Sequence, residues 1–475
     1  MTDIIIHGGS VITMERDDGT GIINNGAVAI KGDKIVAVGE TADIMRDYKA
    51  ERYIDATGKV VMPGFIDAHM HSDMALMKGL AQDSNNWMQS CVWPYTEVIT
   101  TDEVKNGSMV FLMEALRAGT TTFCDYHEYV YDIVENYKAL GVRACLAQAI
   151  QALAPNASDI PIGELYPLEN KYEDVGYQKN LKLINEYHMY KDGLITGMLG
   201  PMAPDRVTKE MMLEVNETSK KYNIGMHMHL SCGTREINQM EKRYGRRSIP
   251  LLDDMGLINE RMIGVHLSVA TDEELEHFAK KGGAMVLCSG SEAIIDGNVP
   301  PAFEFSKSSS RLALGSDQTA GGNTSNMFNE MKFTAILNKC KFGDPTVFPA
   351  WKVLRMATID GARAMGLGDM VGSLKPGKKA DMIIVDFQKP TLTPLLFDPI
   401  RNIVPNLVYA ANGSEVETSI INGEIVMENR EFTRVNEKEL IDAANASARA
   451  LAARTKDKMV KIKNDLYMMM QADRI

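Results

Sequence analysis

The sequence predicts an α/β fold, a (β/α)₈ TIM-like barrel with a small flanking β-sandwich that both ends of the chain form together. Three observations support this prediction. Short apolar runs alternate with charged, helix-like stretches through the middle of the chain, strand-and-turn patterns occupy both flanks, and six of the nine histidines stand at the ends of the apolar runs. Strands that alternate with helices form a parallel sheet, and a sheet of eight such units favours a closed barrel.

The pattern divides the chain into four parts. Residues 1–61 and 369–432 are the two parts of the β-sandwich, 62–368 the barrel, and 433–475 a C-terminal helix that packs on the barrel or on a partner subunit. In the sandwich parts, Gly32-Asp33 and Asn422-Gly423 predict tight hairpin turns between strands.

Each predicted barrel strand is an apolar run that a helical pattern follows. These strands are 64–71, 120–127, 142–150, 194–204, 224–230, 262–268, 284–290 and 312–317. Helical patterns between them include 101–118, 208–222 and 271–281. No glycine-rich fingerprint follows the first strand, which argues against a dinucleotide-binding fold.

The composition of the chain argues against several classes of protein. The 475 residues are 45% hydrophobic and carry a net charge of −12, which argues against nucleic acid or an anionic membrane surface as a partner. The six cysteines form no C-x-x-C pair, and no segment resembles a signal peptide or a membrane span. We therefore expect a cytoplasmic protein.

The histidines at the strand ends predict a metal site. His69 and His71 project from the same face of the first strand because side chains alternate along a strand. His127, His229 and His266 stand at the ends of strands 2, 5 and 6. In a barrel of this kind, functional side chains gather at the carboxyl ends of the strands, so these imidazoles are expected to meet there.

These motifs resemble the amidohydrolase superfamily along nearly the whole chain. The matching segments are P-G-F-I-D-A-H-M-H at 63–71, T-T-F at 121–123, H-M-H-L at 227–230, V-H-L at 265–267, L-G-S-D at 314–317 and G-S-L-K-P-G-K-K-A-D at 372–381. The pattern is most similar to the branch that holds S-adenosylhomocysteine, guanine and cytosine deaminases and the triazine hydrolases.

The resemblance implies a role for each matched residue. His69, His71, His229 and Asp317 would bind one divalent ion, most simply Zn²⁺ and alternatively Fe²⁺. Asp317 would also move the proton of the attacking water, and His266 would hydrogen-bond that water or polarise the substrate. Binuclear relatives bridge their metals with a modified lysine on strand 4, and 194–204 contains no lysine. We therefore expect a mononuclear site.

The pattern departs from the family on the substrate side. Deaminases of this branch usually carry a glutamate three residues after the strand-5 histidine, where this chain has Cys232. Cys232 is then a neutral wall of the pocket, or Glu236 folds back to supply the carboxyl group, or the thiol itself is a nucleophile or ligand. His127 and Trp87 complete the set of predicted substrate-binding residues.

The predicted function is that of a metal-dependent aminohydrolase. Its substrate is expected to be a small nitrogen-rich heterocycle such as a purine, pyrimidine, pterin or triazine. The alternatives are a hydrolase that removes another ring substituent, such as halide or an alkylamine, a hydrolase that opens a cyclic amide, and a non-catalytic binding barrel. The resemblance also favours a homo-oligomer.

Overall fold

The computed structural model describes residues 1–154, 159–161 and 163–475. The strands in chain order are β1 Thr2–Ile12, β2 Ile22–Lys31, β3 Lys34–Glu40, β4 Ala50–Asp55, β5 Lys59–Pro63, β6 Phe65–His71, β7 Thr120–His127, β8 Arg143–Ile150, β9 Ile195–Pro201, β10 Met226–Leu230, β11 Met262–His266, β12 Ala284–Leu287, β13 Leu312–Leu314, β14 Asp317–Gln318, β15 Met382–Asp386, β16 Val416–Ile421, β17 Glu424–Glu428 and β18 Glu431–Phe432.

The helices pack outside these strands or connect them. They are α1 Thr41–Asp47, α2 Trp93–Thr96, α3 Thr101–Arg117, α4 Val134–Leu140, α5 Asn170–Tyr187, α6 Lys209–Tyr222, α7 Thr234–Tyr244, α8 Ser248–Asp254, α9 Asp272–Lys280, α10 Ser289–Ile295, α11 Ala302–Ser306, α12 Met327–Phe342, α13 Ala350–Met356, α14 Ile359–Ala364, α15 Ile403–Tyr409, α16 Glu437–Ile462 and α17 Asp465–Gln471. Within the described part of the chain, no helix combines the length and apolar character that crossing a membrane requires.

The barrel sheet is parallel throughout and closes on itself. Its strand order is β13-β12-β11-β10-β9-β8-β7-β6-β14. β13 pairs with β12, whereas β14, three residues further along the same chain segment, pairs with β6. The two pieces therefore act as one eighth strand that joins the seventh strand to the first. The predicted barrel is confirmed.

The flanking sheet draws strands from both ends of the chain. Its order is β18-β17-β16-β15-β5-β1-β2-β3, with β4 paired to β1. The predicted hairpin at Asn422-Gly423 is confirmed: both residues adopt positive φ, of 54° and 77°, as a two-residue hairpin turn requires. The N-terminal strand β1 pairs with β2 along most of its length, with irregular pairing around Gly9.

Two predicted elements differ from the structure. The long C-terminal helix is two helices, because Lys463 adopts φ 50° and the Asn464 side chain then accepts from Tyr467 N at 2.8 Å to begin α17. The seventh barrel strand ends at Leu287, since Ser289 already starts α10. Helix α16 packs on the barrel: Glu437 accepts hydrogen bonds from Arg117 of α3 at 2.6 and 2.7 Å.

A buried ion pair joins the barrel to the flanking sheet. Arg143 on β8 donates to both carboxylate oxygens of Asp381, at 2.6 and 3.0 Å, and both side chains are almost fully buried. The same guanidinium donates to Gly193 O and to Asn422 Oδ1. Breaking a buried pair leaves an unpaired charge in the interior. This lowers the free energy of unfolding far more than the loss of an exposed pair does.

Replacement of Arg143 by methionine is therefore expected to lower the free energy of unfolding by about 3–5 kcal/mol. Urea unfolding followed by circular dichroism measures the change. The matched control is Arg246→Met, which removes an exposed guanidinium from its pair with Asp254 and should leave the midpoint nearly unchanged. Equal midpoints for the two variants would contradict the structural role of the Arg143–Asp381 pair.

Candidate active site

The first barrel strand delivers two imidazoles to its carboxyl end. His69 and His71 are both buried, and their rings lie edge to face with centroids 4.7 Å apart. Strand 8 approaches this strand closely, and a Cβ at Gly315 would lie 2.7 Å from His69 O. Glycine is therefore required at that point. Next to it, Asp67 accepts from Ser316 N at 2.9 Å, which anchors the segment that carries Asp317.

Five side chains converge at this end of the barrel. His71 Nε2 lies 3.2 Å from His229 Nε2, and Asp317 Oδ1 lies 3.6 Å from His69 Nε2 and 3.5 Å from His71 Nε2. The ligand atoms of His69, His71 and Asp317 lie within 4.8 Å of one another, and so do those of His69, His229 and His266. The structure thus brings all five predicted metal and catalytic residues together.

Hydrogen bonds behind the rings fix which nitrogen faces the centre. His229 Nδ1 donates to Met202 O at 3.0 Å, so its Nε2 carries the free lone pair. His69 Nδ1 lies 2.7 Å from His227 Nε2, and its own Nε2 has no hydrogen-bond partner although it is fully buried. Such backing contacts are typical of imidazoles that bind a metal ion through the opposite nitrogen.

Burial keeps these imidazoles neutral. It lowers the pKa of His69 and of His229 well below the ordinary value of 6.5, and the neighbouring imidazoles lower it further. The pKa of His227 falls to about 3, again mainly through burial. Neutral imidazole is the form that binds a divalent ion. The unpaired Nε2 of His69 and the Asp317 carboxylate oxygen face the same point as the other histidine nitrogens. These donors together fit one ion.

His266 stands in a different environment. Burial lowers its pKa, but the hydrogen bond of Nδ1 to Glu292 Oε1, 3.1 Å long, and the charge of that carboxylate raise it to about 9. The residue has a φ of 76°, in the left-handed region that residues other than glycine adopt infrequently. Glu292 thus holds His266 as a hydrogen-bond donor over the site.

Asp317 is held from two sides. Its Oδ2 accepts from Ser291 Oγ at 2.6 Å, which leaves Oδ1 directed toward His69 and His71. Its φ is 60°, and it is the first residue of β14, where the interrupted eighth strand resumes and pairs with β6. Strained backbone concentrates at functional sites, and here two of the five converging residues carry it.

The site lies on the wall of a cavity of about 920 Å³. His71, His229, His266 and Asp317 line it together with an aromatic wall. That wall contains Trp87, Trp93, Tyr129, Tyr166 and Tyr172.

His127 and Trp87, the other two predicted substrate-binding residues, both line the cavity. His127 Nε2 donates to Asp125 Oδ2 at 3.2 Å, and its Nδ1 accepts from Tyr129 N at 3.1 Å. The ring is therefore fixed in one orientation.

The structure separates the two residues predicted around the strand-5 turn. Cys232 lines the cavity, and burial raises the pKa of its thiol well above the ordinary value. Glu236 does not reach the cavity: its carboxylate accepts from Ser231 N at 2.9 Å, from Cys232 N at 3.0 Å and from Ser248 Oγ. Glu236 holds the turn that presents Cys232, because three donors behind the turn occupy its two oxygens.

A model of the amidohydrolase family matches residues 60–426 of the chain. The chain belongs to the amidohydrolase family. A second model, of an imidazolonepropionase-like composite domain of bacteria, matches residues 26–48. The predictions of the amidohydrolase fold and of a hydrolase that acts on carbon–nitrogen bonds other than peptide bonds are confirmed.

Named amidohydrolases resemble the chain over nearly its full length. A 5-methylthioadenosine/S-adenosylhomocysteine deaminase of Pelotomaculum thermopropionicum is 32% identical and covers 95% of this chain and 99% of its own. The structure of an adenosine deaminase from Xanthomonas campestris with bound zinc is 30% identical, with a TM-score of 0.85 over 96% of this chain and 99% of its own. The atrazine chlorohydrolase of Arthrobacter aurescens, complexed with zinc, shares the fold at 22% identity, with a TM-score of 0.81 over 94% of this chain and 100% of its own.

Several residues of this amidohydrolase site escaped the sequence reasoning. Glu292 orients His266, Ser291 orients Asp317, and Asp67 anchors Ser316. Glu292 and Ser291 lie directly after the seventh strand, where the rule of functional strand ends could have found them. Arg206 and Arg235 line the cavity and follow strands 4 and 5, so the same rule of functional strand ends could have found them.

Proposed function

We propose that the protein is a metal-dependent aminohydrolase that releases ammonia from a small nitrogen-rich heterocycle, with an adenine-type purine as the first candidate. One observation carries the proposal: buried imidazoles and the Asp317 carboxylate converge on one point of an aromatic-lined cavity. The named deaminases that resemble the chain over its length support the substrate class.

His69, His71, His229 and Asp317 would hold one divalent ion, with Zn²⁺ as the first candidate and Fe²⁺ as the second. When bound, such an ion supplies a Lewis acid that lowers the pKa of a water molecule toward neutrality. The described part of strand β9 contains no lysine, which supports a single ion rather than a bridged pair.

The chain's own residues then move the protons. Asp317 Oδ1 faces the two strand-1 imidazoles, so it can accept a proton from a water molecule there and return it to the departing amine. His266, which Glu292 holds as a donor, hydrogen-bonds the attacking oxygen or the substituent that leaves. His127 and Trp87 contact the ring of the substrate across the cavity.

Cys232 is proposed as a neutral wall beside the ring. Its thiol is a weak hydrogen-bond donor, and burial keeps it protonated. Cys232→Ala is therefore expected to retain activity within about tenfold of the parent, since no proton or bond passes through the sulfur. Steady-state kcat and KM of ammonia release measure this. A loss of several hundredfold, with the zinc content unchanged, would instead give the thiol a chemical role.

Ammonia, amine and chloride release over a panel of purines, pyrimidines, pterins and triazines tests the function. Ammonia release from at least one ring supports the proposal, and release of chloride or alkylamine alone would favour the second candidate. That candidate is a hydrolase that removes another ring substituent. Cys232 favours it, because a thiol at this position supplies no carboxyl proton to the ring.

The proposal also covers the cellular location and the oligomeric state of the protein. All six cysteines are free, which supports a reducing cytoplasmic location. Assembly into a homo-oligomer stays a prediction, and sedimentation velocity of the purified protein tests it.

A further inference from the structure

Two arginines stand beside Cys232 in the cavity wall. Arg206 follows strand β9 and Arg235 begins helix α7 one turn after β10, and both line the cavity. Burial lowers the pKa of Arg206, and the positive charge of the neighbouring Arg235 lowers it further. A protein interior rarely holds two neighbouring guanidinium groups without anions to pair them.

The Arg206 side chain has no hydrogen-bond partner among the described residues. It is 7% exposed, and its Nε is fully enclosed without an acceptor. Its guanidinium stacks on the face of Trp93, 5.6 Å from guanidinium carbon to ring centroid. Stacking on a ring fixes the plane of the fork and leaves its N–H edge free for a ligand.

The nearby carboxylates form no hydrogen bond with the Arg206 side chain among the described residues. Asp205 lies 4.0 Å from Arg235 Nη1, beyond hydrogen-bond distance, and its own oxygens have no hydrogen-bond donor. The Glu128 carboxylate accepts instead from the Gln151 side chain. The hydrogen-bonding edge of Arg206 is therefore left to a ligand.

We infer that Arg206 and Arg235 form a binding subsite for an anionic group, a carboxylate or a phosphate, on the substrate. The fork of a guanidinium donates two parallel hydrogen bonds to such an oxyanion, and this pairing satisfies the buried N–H groups of Arg206. The cavity of about 920 Å³ has room for a heterocycle that carries such a substituent as well as for a bare ring. The assignment of the anion to the substrate rests on the proposed function.

Anion binding is tested without turnover. Inorganic phosphate and benzoate are titrated by calorimetry into zinc-loaded protein, into Arg206→Gln and into Arg235→Gln. The parent is expected to bind at least one probe, and each variant about 10- to 100-fold more weakly, the loss that a charge-assisted hydrogen bond carries. Arg246→Gln, a matched loss of one guanidinium outside the cavity, should bind like the parent.

Binding that is unchanged in both cavity variants, or absent from the parent, overturns the subsite. Arg206→Lys adds a second measurement: it keeps the charge and loses the fork, so it should bind more weakly than the parent and more tightly than Arg206→Gln. Circular dichroism and zinc content show that each variant is folded.

Kinetics then connect the subsite to the substrate. Adenosine, adenosine 5′-carboxylic acid and adenosine 5′-monophosphate share the ring and differ in the anion. Arg206→Gln should raise KM about 10- to 100-fold for the anionic member that the parent prefers and change KM for adenosine by a much smaller factor. Equal effects on all three overturn the assignment. Failure of ammonia release from every ring, with anion binding still dependent on Arg206, refutes the proposed function and leaves the subsite standing.

Discussion

Asp317→Asn is expected to lower kcat for ammonia release by about 10³- to 10⁴-fold, the largest effect of any single substitution considered. The asparagine keeps the size of the side chain and its hydrogen bond with Ser291, but its amide cannot accept a proton. KM should change much less, because the substrate contacts other walls of the cavity. Steady-state kinetics measure both constants.

Zinc content must be measured on the same preparation, because Asp317 is also a proposed ligand. A variant that keeps its ion and loses kcat isolates proton transfer. Asp254→Asn, which alters an exposed aspartate on α8, is the matched control and should retain full activity. Activity of Asp317→Asn within tenfold of the parent would remove Asp317 from the proposed mechanism.

Removal of the divalent ion is expected to reduce activity by at least about 100-fold, and one equivalent of Zn²⁺ per chain should restore it. The physical reason is that His69 and His229 are neutral, so without the ion they offer no Lewis acid that could lower the pKa of a water molecule between them. Dialysis against a chelator, followed by titration with Zn²⁺ and atomic absorption, measures both quantities. Recovery that requires two ions per chain would contradict the single-ion site, and unchanged activity in the metal-free protein would contradict the proposed reaction.

The proposed metal-binding and catalytic residues could be predicted from the sequence, because functional side chains gather at the carboxyl ends of barrel strands. His69, His71, His229, His266 and Asp317 each close an apolar run, and parallel strands place such residues at one edge. Two periodicities, one for strands and one for helices, were enough to locate them.

The supporting residues were harder to predict because their partners are distant in sequence. Asp67 binds Ser316, 249 positions away, and no local pattern indicates that pairing. The role of Glu236 depended on three donors that only the folded turn brings together. The break in the C-terminal helix at Lys463 also leaves little trace, since lysine is a good helix former.

The split eighth strand sets the order in which this molecule can become active. Asp317 Cα pairs with Met70 where β14 meets β6, so the bond network that seals the barrel also delivers the final functional carboxylate. During synthesis, the chain must leave the ribosome beyond residue 317 before Asp317 can meet His69 and His71, which are made some 250 residues earlier. Nascent fragments that end before residue 317 therefore carry the strand-end imidazoles without the carboxylate that the proposed reaction needs.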